Sequence, residues 1–463
     1  MAEAQQFDLV VIGSGPAGQK AAVCAAKMRK RVAVIDRGRM VGGVCVHTGT
    51  IPSKTFREAV LHLTGFTQRT FYGRDFQIKE DISIQDLSYR VQTIVSRETE
   101  VIRAQLRRNN IVLFEGDASF ADPHTVEVAG ESKTVALRGE RILIACGTRP
   151  AHSSDIPFDG VRIIDTDQFP GVSRLPKEAI VVGAGVVGLE CCSFYAALGA
   201  RVTLIDQRPT ILDFVDHEIL EALTFHLRRL GTIFRLGEKV TTVGLDTESD
   251  RVFAELESGK RVRGDGLLYA VGRQANGDRL NLEAAGLCPD TRGKVEVNGS
   301  FQTKVPHIYA AGDVIGFPAL ASTSMEQGRL ASCFMFGAPA SEVAELFPYG
   351  IYTIPEISMV GQTEEKLTAA KVPYEIGIAK YAELAKSMML GDDNGMLKLL
   401  FHRKNLKLLG VHAMGERATE IIHIGQAVLS FGGTIEYFRD TVFNYPTLAE
   451  AYKVAALDGL NRL

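Results

Sequence analysis

The sequence predicts an α/β protein in which two parallel-sheet units are joined to a C-terminal α+β region. Three observations carry that prediction. A glycine-rich strand–turn–helix–strand pattern begins at Phe7, a second begins at Ala179, and from about Phe347 the pattern changes to short strands interleaved with helices. At 463 residues the chain also exceeds what a single hydrophobic core usually supports, so two or three domains are expected.

In the first unit the run Leu9, Val10, Val11 and Ile12 has the unbroken apolar character of a strand buried on both faces. Gly13, Gly15 and Gly18 follow at G-x-G-x-x-G spacing, then a small-residue helix over 19–28 and a second strand over 32–35 that ends at Asp36. Each part has a physical reason. Gly13 permits the tight turn, Gly15 lets a pyrophosphate approach the backbone, and Gly18 lets helix and strand pack closely. The helix N-terminus offers N–H groups and partial positive charge to phosphates, and Asp36 suits a ribose diol.

The same device recurs over 179–206. A strand over 179–182 leads into Gly183, Gly185 and Gly188, a helix over 187–198, and a strand over 202–205 that ends at Asp206. Two full matches, 170 residues apart from Gly13 to Gly183, imply two bound dinucleotides.

Composition narrows the partners. A 46% hydrophobic and 23% charged chain with net charge −3 is ordinary for a globular protein and gives no reason to expect nucleic acid or an anionic membrane. Arg103, Arg107 and Arg108 are expected on a solvated helix face. No apolar run is long enough to span a bilayer and no signal-peptide pattern opens the chain, so a cytoplasmic location is expected. Of the seven cysteines, Cys24, Cys146, Cys191 and Cys192 sit in apolar stretches as small buried hydrophobes. With no zinc-type spacing or disulfide framework, a reducing compartment and no metal are expected.

Further segments complete a family pattern: ACGTRP at 145–150, AVGR at 270–273, Thr303, and YAAGD at 309–313. In this order they resemble the flavoprotein disulfide reductase superfamily, the group of lipoamide dehydrogenase and glutathione reductase. The resemblance implies two Rossmann-like dinucleotide-binding domains plus a C-terminal α+β dimerisation domain. It implies FAD in the first fold (1–150, with a return segment 276–346), a nicotinamide nucleotide in the second (151–275), and an interface domain over 347–463. By motif match, Asp313 would bind the flavin ribityl chain, Lys54 would lie near the isoalloxazine, and Gly116 would pass the adenine. Gly43, Cys45 and Gly147 would also border FAD, and Gly272 the nicotinamide nucleotide. Glu190 would stand near the nicotinamide and pair with Lys54.

The chain departs from that family where the redox disulfide belongs. In GGVCVHTGTIPSK (42–54), Cys45 holds the first cysteine position, but Thr50 replaces the second. A hydroxyl forms no disulfide and is no thiolate, so a dithiol relay through this pair is chemically impossible. Near the C-terminus, Tyr445 stands where the family's histidine serves the thiols, while Glu450 remains. A phenol is a poor base at neutral pH. Cys45 is therefore expected to be structural, and His47 a polar helix residue.

What remains is hydride chemistry. The segments at 48–54, 350–358, 443–447 and 459–463 resemble a branch of the superfamily that exchanges hydride between nicotinamide nucleotides, NADPH + NAD⁺ ⇌ NADP⁺ + NADH, by ping-pong through FAD. Such an enzyme accepts both NAD(H) and NADP(H). Asp206 favours the NAD ribose diol and repels a 2′-phosphate, which Arg208, two residues on, is placed either to offset or to ignore as a solvated loop residue. The alternative is an NAD(P)H:quinone reductase, or diaphorase, using the same residues. Less weight falls on a disulfide reductase with a relocated pair, since Cys191 and Cys192 are adjacent within a helix, and on a flavin-binding subunit without turnover.

In the C-terminal region, strands are expected over 351–359, 374–382, 396–401 and 408–413, with helices over 364–370, 418–429 and 448–460. The resemblance makes this part a homodimer or higher-oligomer interface, with the Tyr445 segment reaching the partner's flavin. His423, on an apolar helix, is expected to be a satisfied core or interface histidine. Gly183→Glu should abolish nicotinamide nucleotide binding while the protein stays yellow with FAD. Normal reduction of that variant by NADPH would overturn the assignment of the two units.

Overall fold

The computed structural model describes residues 4–73, 75–246, 249–340 and 346–463; the stretch 341–345, which closes the expected return segment, lies outside the described residues. The first sheet is built on β1 (Gln5–Ile12), with Leu9, Val10 and Val11 fully buried. From β1 the chain enters α1 (Pro16–Lys27) and returns through β2 (Val32–Asp36), which pairs parallel with β1. Val112–Glu115 lies outside β2 and Thr134–Ile144 on the other side of β1, both parallel. α1 presents Ala21, Ala22 and Ala25 to the core, small residues that let it lie close on the sheet. Further on, α2 (Thr50–Thr64) carries the segment that resembles the lost redox helix.

The second unit repeats the scheme. β3 (Glu178–Val182) feeds α3 (Val186–Ala197), whose residues from Gly188 to Ala197 are all buried, and β4 (Arg201–Asp206) returns beside β3. The parallel sheet runs Ile233–Leu236, β4, β3, Gly266–Tyr269, Ile163–Asp165. The strands that lead into and out of this unit, Thr148–Pro150 and Arg273–Ala275, pair antiparallel with each other.

The chain then rejoins the first sheet, where Ile308–Ala310 adds a parallel strand beside Thr134–Ile144. α4 (Ala321–Phe336) packs on α1 so closely that a Cβ at Gly328 would stand 2.0 Å from the Ala17 carbonyl oxygen. The C-terminal region is a five-stranded antiparallel sheet covered by Ala418–Ser430 and Glu450–Leu460.

Some expectations need correction. The strand expected over 351–359 is two antiparallel strands, Tyr349–Ile351 and Ile357–Gly361, because residues 352–356 leave the sheet as a connection containing Pro355. Arg103 is not free in solvent: its guanidinium pairs with Glu115 at 2.7 Å and donates to the Gly38 carbonyl at 3.1 Å. His423, expected in a core or at an interface, faces outward on the single chain and bonds Gln426 at 2.8 Å, which removes the core alternative alone. Cys24 and Cys146 are half-buried rather than fully buried, whereas Cys191 and Cys192 are buried as expected.

Lys398, in the C-terminal sheet, is completely buried, with its ammonium among Asp216, Glu218 and Glu364. Asp216 is itself fully buried and belongs to the second unit, so the cluster fastens that unit to the C-terminal sheet. A buried pair is costly to desolvate, but it is costlier still to halve. Lys398→Met should therefore destabilise the protein by about 3–5 kcal/mol, the cost of leaving one buried partner uncompensated. Urea unfolding checks this, and an unchanged midpoint would contradict it.

Candidate active site

One cavity of about 510 Å³ runs along the first glycine loop and reaches the start of α3. It is bordered by Gly13, Gly15, Asp36, Gly43, Cys45, Thr50, Lys54, Gly116, Gly147 and Asp313, and also by Glu190. The fold thus brings together all the positions expected beside FAD except Gly18. Gly18 lies behind the loop, where a Cβ would stand 1.9 Å from the Gly13 carbonyl oxygen.

The loop geometry suits a pyrophosphate. Gly13 has φ +106°, and a Cβ there would meet the Ala145 carbonyl oxygen at 2.3 Å. A Cβ on Gly15 would meet nothing within 4 Å, so that backbone faces open cleft, and no side chain caps α1 at this end. The second loop is its counterpart: φ +103° at Gly183, open space at Gly185, and Gly188 against the Gly183 carbonyl at 1.9 Å. Gly183, Gly185, Gly188, Asp206, Arg208 and Gly272 do not border the cavity, so the two loops form separate sites that approach each other at α3.

The acids at the strand ends are already engaged. Asp36 Oδ2 accepts the Ser14 backbone N–H at 2.6 Å and the Ser14 hydroxyl at 2.5 Å, which ties the strand end to the glycine turn. Burial pushes its pKa up, with the Ser14 bonds and Arg37 opposing. Asp206 Oδ2 accepts the Ala184 N–H at 2.6 Å and Arg208 Nη2 at 2.8 Å, while Oδ1 accepts Arg208 N at 2.8 Å and Nε at 3.0 Å. Burial works to raise the Asp206 pKa, but the bonds from Arg208 and Ala184 hold it below the usual carboxylate value.

At the junction of the sites, Lys54 Nζ lies 2.7 and 2.9 Å from the two carboxylate oxygens of Glu190, which is 2% exposed. Glu190 Oε1 also accepts the Tyr352 backbone N–H at 2.9 Å, and Lys54 Nζ stands 4.8 Å from the centre of the Tyr352 ring. Tyr352 comes from the 352–356 connection; Pro355 marks the break in the strand, but nothing local places Tyr352 beside Lys54 and Glu190. Arg273 was seen only as part of a motif. It borders the cavity, donates to the Thr148 hydroxyl at 2.8 Å and pairs with Asp167 at 2.8 Å. Burial raises the Asp313 pKa, with Arg273, Ser324 and Thr148 opposing.

At the cavity the family's dithiol and its histidine are missing in space as well as in sequence. Cys45 has its pKa raised, chiefly by burial, although a hydrogen bond with Thr50 works the other way, so the thiolate is disfavoured. The ring of His47 bonds the Val41 carbonyl at 2.8 Å. Tyr445 is 72% exposed and borders no part of the cavity on its own chain.

Two glycine-loop nucleotide sites meeting at a buried carboxylate–ammonium pair define a two-dinucleotide oxidoreductase. Comparison with known proteins agrees. Residues 7–328 match the family model described as pyridine nucleotide-disulphide oxidoreductase, and 347–456 match that family's dimerisation domain. The chain is 52% identical over 461 residues, 99% of it and 98% of the relative, to a soluble pyridine nucleotide transhydrogenase of Mycobacterium bovis BCG. It is 44% identical over 469 residues to one of Klebsiella pneumoniae, covering the whole of both chains. Among solved structures, LpdA of Mycobacterium tuberculosis superposes with a TM-score of 0.89 at 26% identity, over 98% of this chain and 99% of that one. The flavoprotein disulfide reductase RclA of Escherichia coli has the same fold, with a TM-score of 0.88 at 24% identity over 98% and 99%. The chain belongs to the pyridine nucleotide-disulphide oxidoreductase family, as an FAD-dependent enzyme acting on nicotinamide nucleotides.

The residues present fit FAD. Open backbone at Gly15 and Gly147 leaves room along the cleft, and the buried Thr48 hydroxyl at its edge has no hydrogen-bond partner among the described residues. Cys45→Ser should keep most of the NADPH oxidation rate, because the thiol has no cysteine partner and burial raises its pKa. Loss of turnover with FAD retained would bring a thiol mechanism back.

Proposed function

We propose that the protein transfers hydride from NADPH to NAD⁺ in a ping-pong exchange without a redox disulfide, as a cytoplasmic homodimer. The observation that carries this reading is the pairing of two intact nucleotide loops with Thr50 in place of a second cysteine, beside a Cys45 whose pKa burial raises. The mycobacterial and enterobacterial relatives named as soluble transhydrogenases support it. No helix among the described residues is long and apolar enough to cross a membrane.

FAD, held by Gly13, Gly15, Asp36, Gly116 and Asp313, would supply the hydride acceptor and donor between the two half-reactions. The chain supplies position and charge. The α1 N-terminus and the Gly15 backbone take the pyrophosphate, and Asp313 is held by Ser324 Oγ at 3.3 Å. Lys54 is fixed by Glu190, so its ammonium is held in one place at the cleft where the two sites meet, and its partner is too buried to turn to water. Each nucleotide would enter at Gly183, Gly185 and Gly188, deliver or collect hydride, and leave before the other binds.

Dual use of NAD(H) and NADP(H) is assigned to the Asp206–Arg208 pair. The four hydrogen bonds it collects fill the lone-pair sites of the Asp206 carboxylate. A ribose diol must therefore displace the Arg208 guanidinium before it reaches Asp206, and the displaced guanidinium is the cation available to a 2′-phosphate. Arg208→Ala should weaken NADP(H) on the order of tenfold or more, the worth of a charge-assisted bond. It should leave NAD(H) unchanged or tighter; equal weakening of both nucleotides would contradict this account of specificity.

The reaction itself is tested by anaerobic NADPH-to-thio-NAD⁺ transfer with the FAD-loaded protein, with and without a quinone. Rapid transfer without quinone is expected. Negligible transfer alongside rapid quinone-dependent NADPH oxidation would make the protein a diaphorase.

A further inference from the structure

The seven cysteines show no redox spacing in sequence, but the fold joins two of them. Cys24 lies in α1 and Cys333 in α4, 309 positions apart, with their Sγ atoms 3.8 Å from each other. The near-contact of Gly328 with Ala17 is what brings the two helices close enough for the thiols to touch. Closing the gap to a disulfide bond of about 2.05 Å takes less than about 1 Å of travel by each sulfur, within reach of a side-chain rotation.

The surroundings divide the roles of the two thiols. Cys24 is half-buried, whereas Cys333 is 5% exposed. Arg329, held by Glu326 at 2.9 Å, places Nη1 at 3.9 Å from Cys333 Sγ. Burial and the neighbouring Cys333 raise the Cys24 pKa, with Ser332 and Arg329 opposing. Neither sulfur borders the nucleotide cavity, which separates this pair from the hydride-transfer site.

We propose that Cys24 and Cys333 form a reversible modification site, oxidised to a disulfide by hydroperoxides, that staples α1 to α4. In the first step Cys24 gives up its proton and its thiolate sulfur attacks one peroxide oxygen: the S–O bond forms, the O–O bond breaks, and the departing alkoxide or hydroxide takes a proton to leave as alcohol or water. In the second, the Cys333 sulfur attacks the sulfenic sulfur: the S–S bond forms, the S–O bond breaks, and the hydroxide leaves as water with the proton of Cys333. Two thiols and one hydroperoxide thus give a disulfide, one alcohol and one water. Excess thiol reverses the reaction. The staple matters because both helices begin at the cleft: Ala17 near the start of α1 and Ala321 and Ser324 at the start of α4 border it. Fixing the helices to each other holds the FAD cradle closed.

The test is to treat the FAD-loaded protein with hydrogen peroxide, alkylate the remaining thiols and map the peptides. A Cys24–Cys333 linked peptide, lighter by two hydrogens and cleaved by dithiothreitol, is expected, together with several-fold slower FAD release in mild denaturant. Cys24→Ser should remove both effects yet retain wild-type transhydrogenation when untreated. Full alkylation of both cysteines after peroxide, or Cys24 sulfinic acid without a cross-link, would overturn the proposal. A cross-link with unchanged FAD release would overturn the staple.

Discussion

The site depends on one ion pair whose carboxylate is buried. Glu190 sits in α3 of the second unit, where water is excluded, and a lone carboxylate there would be strongly destabilising. Its compensation comes from two other parts of the chain: Lys54 from α2 of the first unit and the Tyr352 N–H from the C-terminal region. A charge that must be neutralised by two neighbours fixes all three parts relative to one another at the place where the nucleotide sites meet. Ser193 reinforces the same joint, accepting the Ile354 N–H at 3.0 Å one turn along α3.

Around that joint, catalysis by this chain is mostly a matter of backbone shape. The two loops reach positive φ at Gly13 and Gly183, and each is pinned to its second strand by a carboxylate, Asp36 through Ser14 and Asp206 through Ala184. The difference between the two lies in what else the acid holds. Asp36 closes on a neutral hydroxyl, whereas Asp206 closes on a guanidinium. That contrast suits a first site that keeps a single cofactor and a second that exchanges ligands differing by one phosphate.

Much of this was legible in the sequence, and for a physical reason. Glycines at fixed spacing between apolar strands encode a local turn, and local geometry needs no knowledge of the rest of the chain. The replacement of a cysteine by Thr50 was equally plain, because a hydroxyl has no thiol chemistry in any setting. What escaped the sequence depends on distant contacts. The strand over 351–359 breaks at residues 352–356; Pro355 signals the break, but where the connection goes, onto Glu190 and Ser193, depends on distant contacts. Arg103 looks like one of three surface arginines until Glu115 is folded beside it. Cys24 and Cys333 are unremarkable until α1 and α4 meet across 309 residues. His423 sits on an apolar helix, but its own direction is outward.

The central claim is that hydride passes between nucleotides with no second redox centre in the path. Anaerobic titration of the FAD-loaded protein with NADPH, followed at the flavin absorbance, tests it most directly. Complete bleaching after one equivalent per flavin, fully reversed by NAD⁺ with the count of free thiols unchanged, is the predicted result. Uptake of a second equivalent, or the appearance of new thiols on reduction, would show a disulfide sharing the electrons and contradict the account.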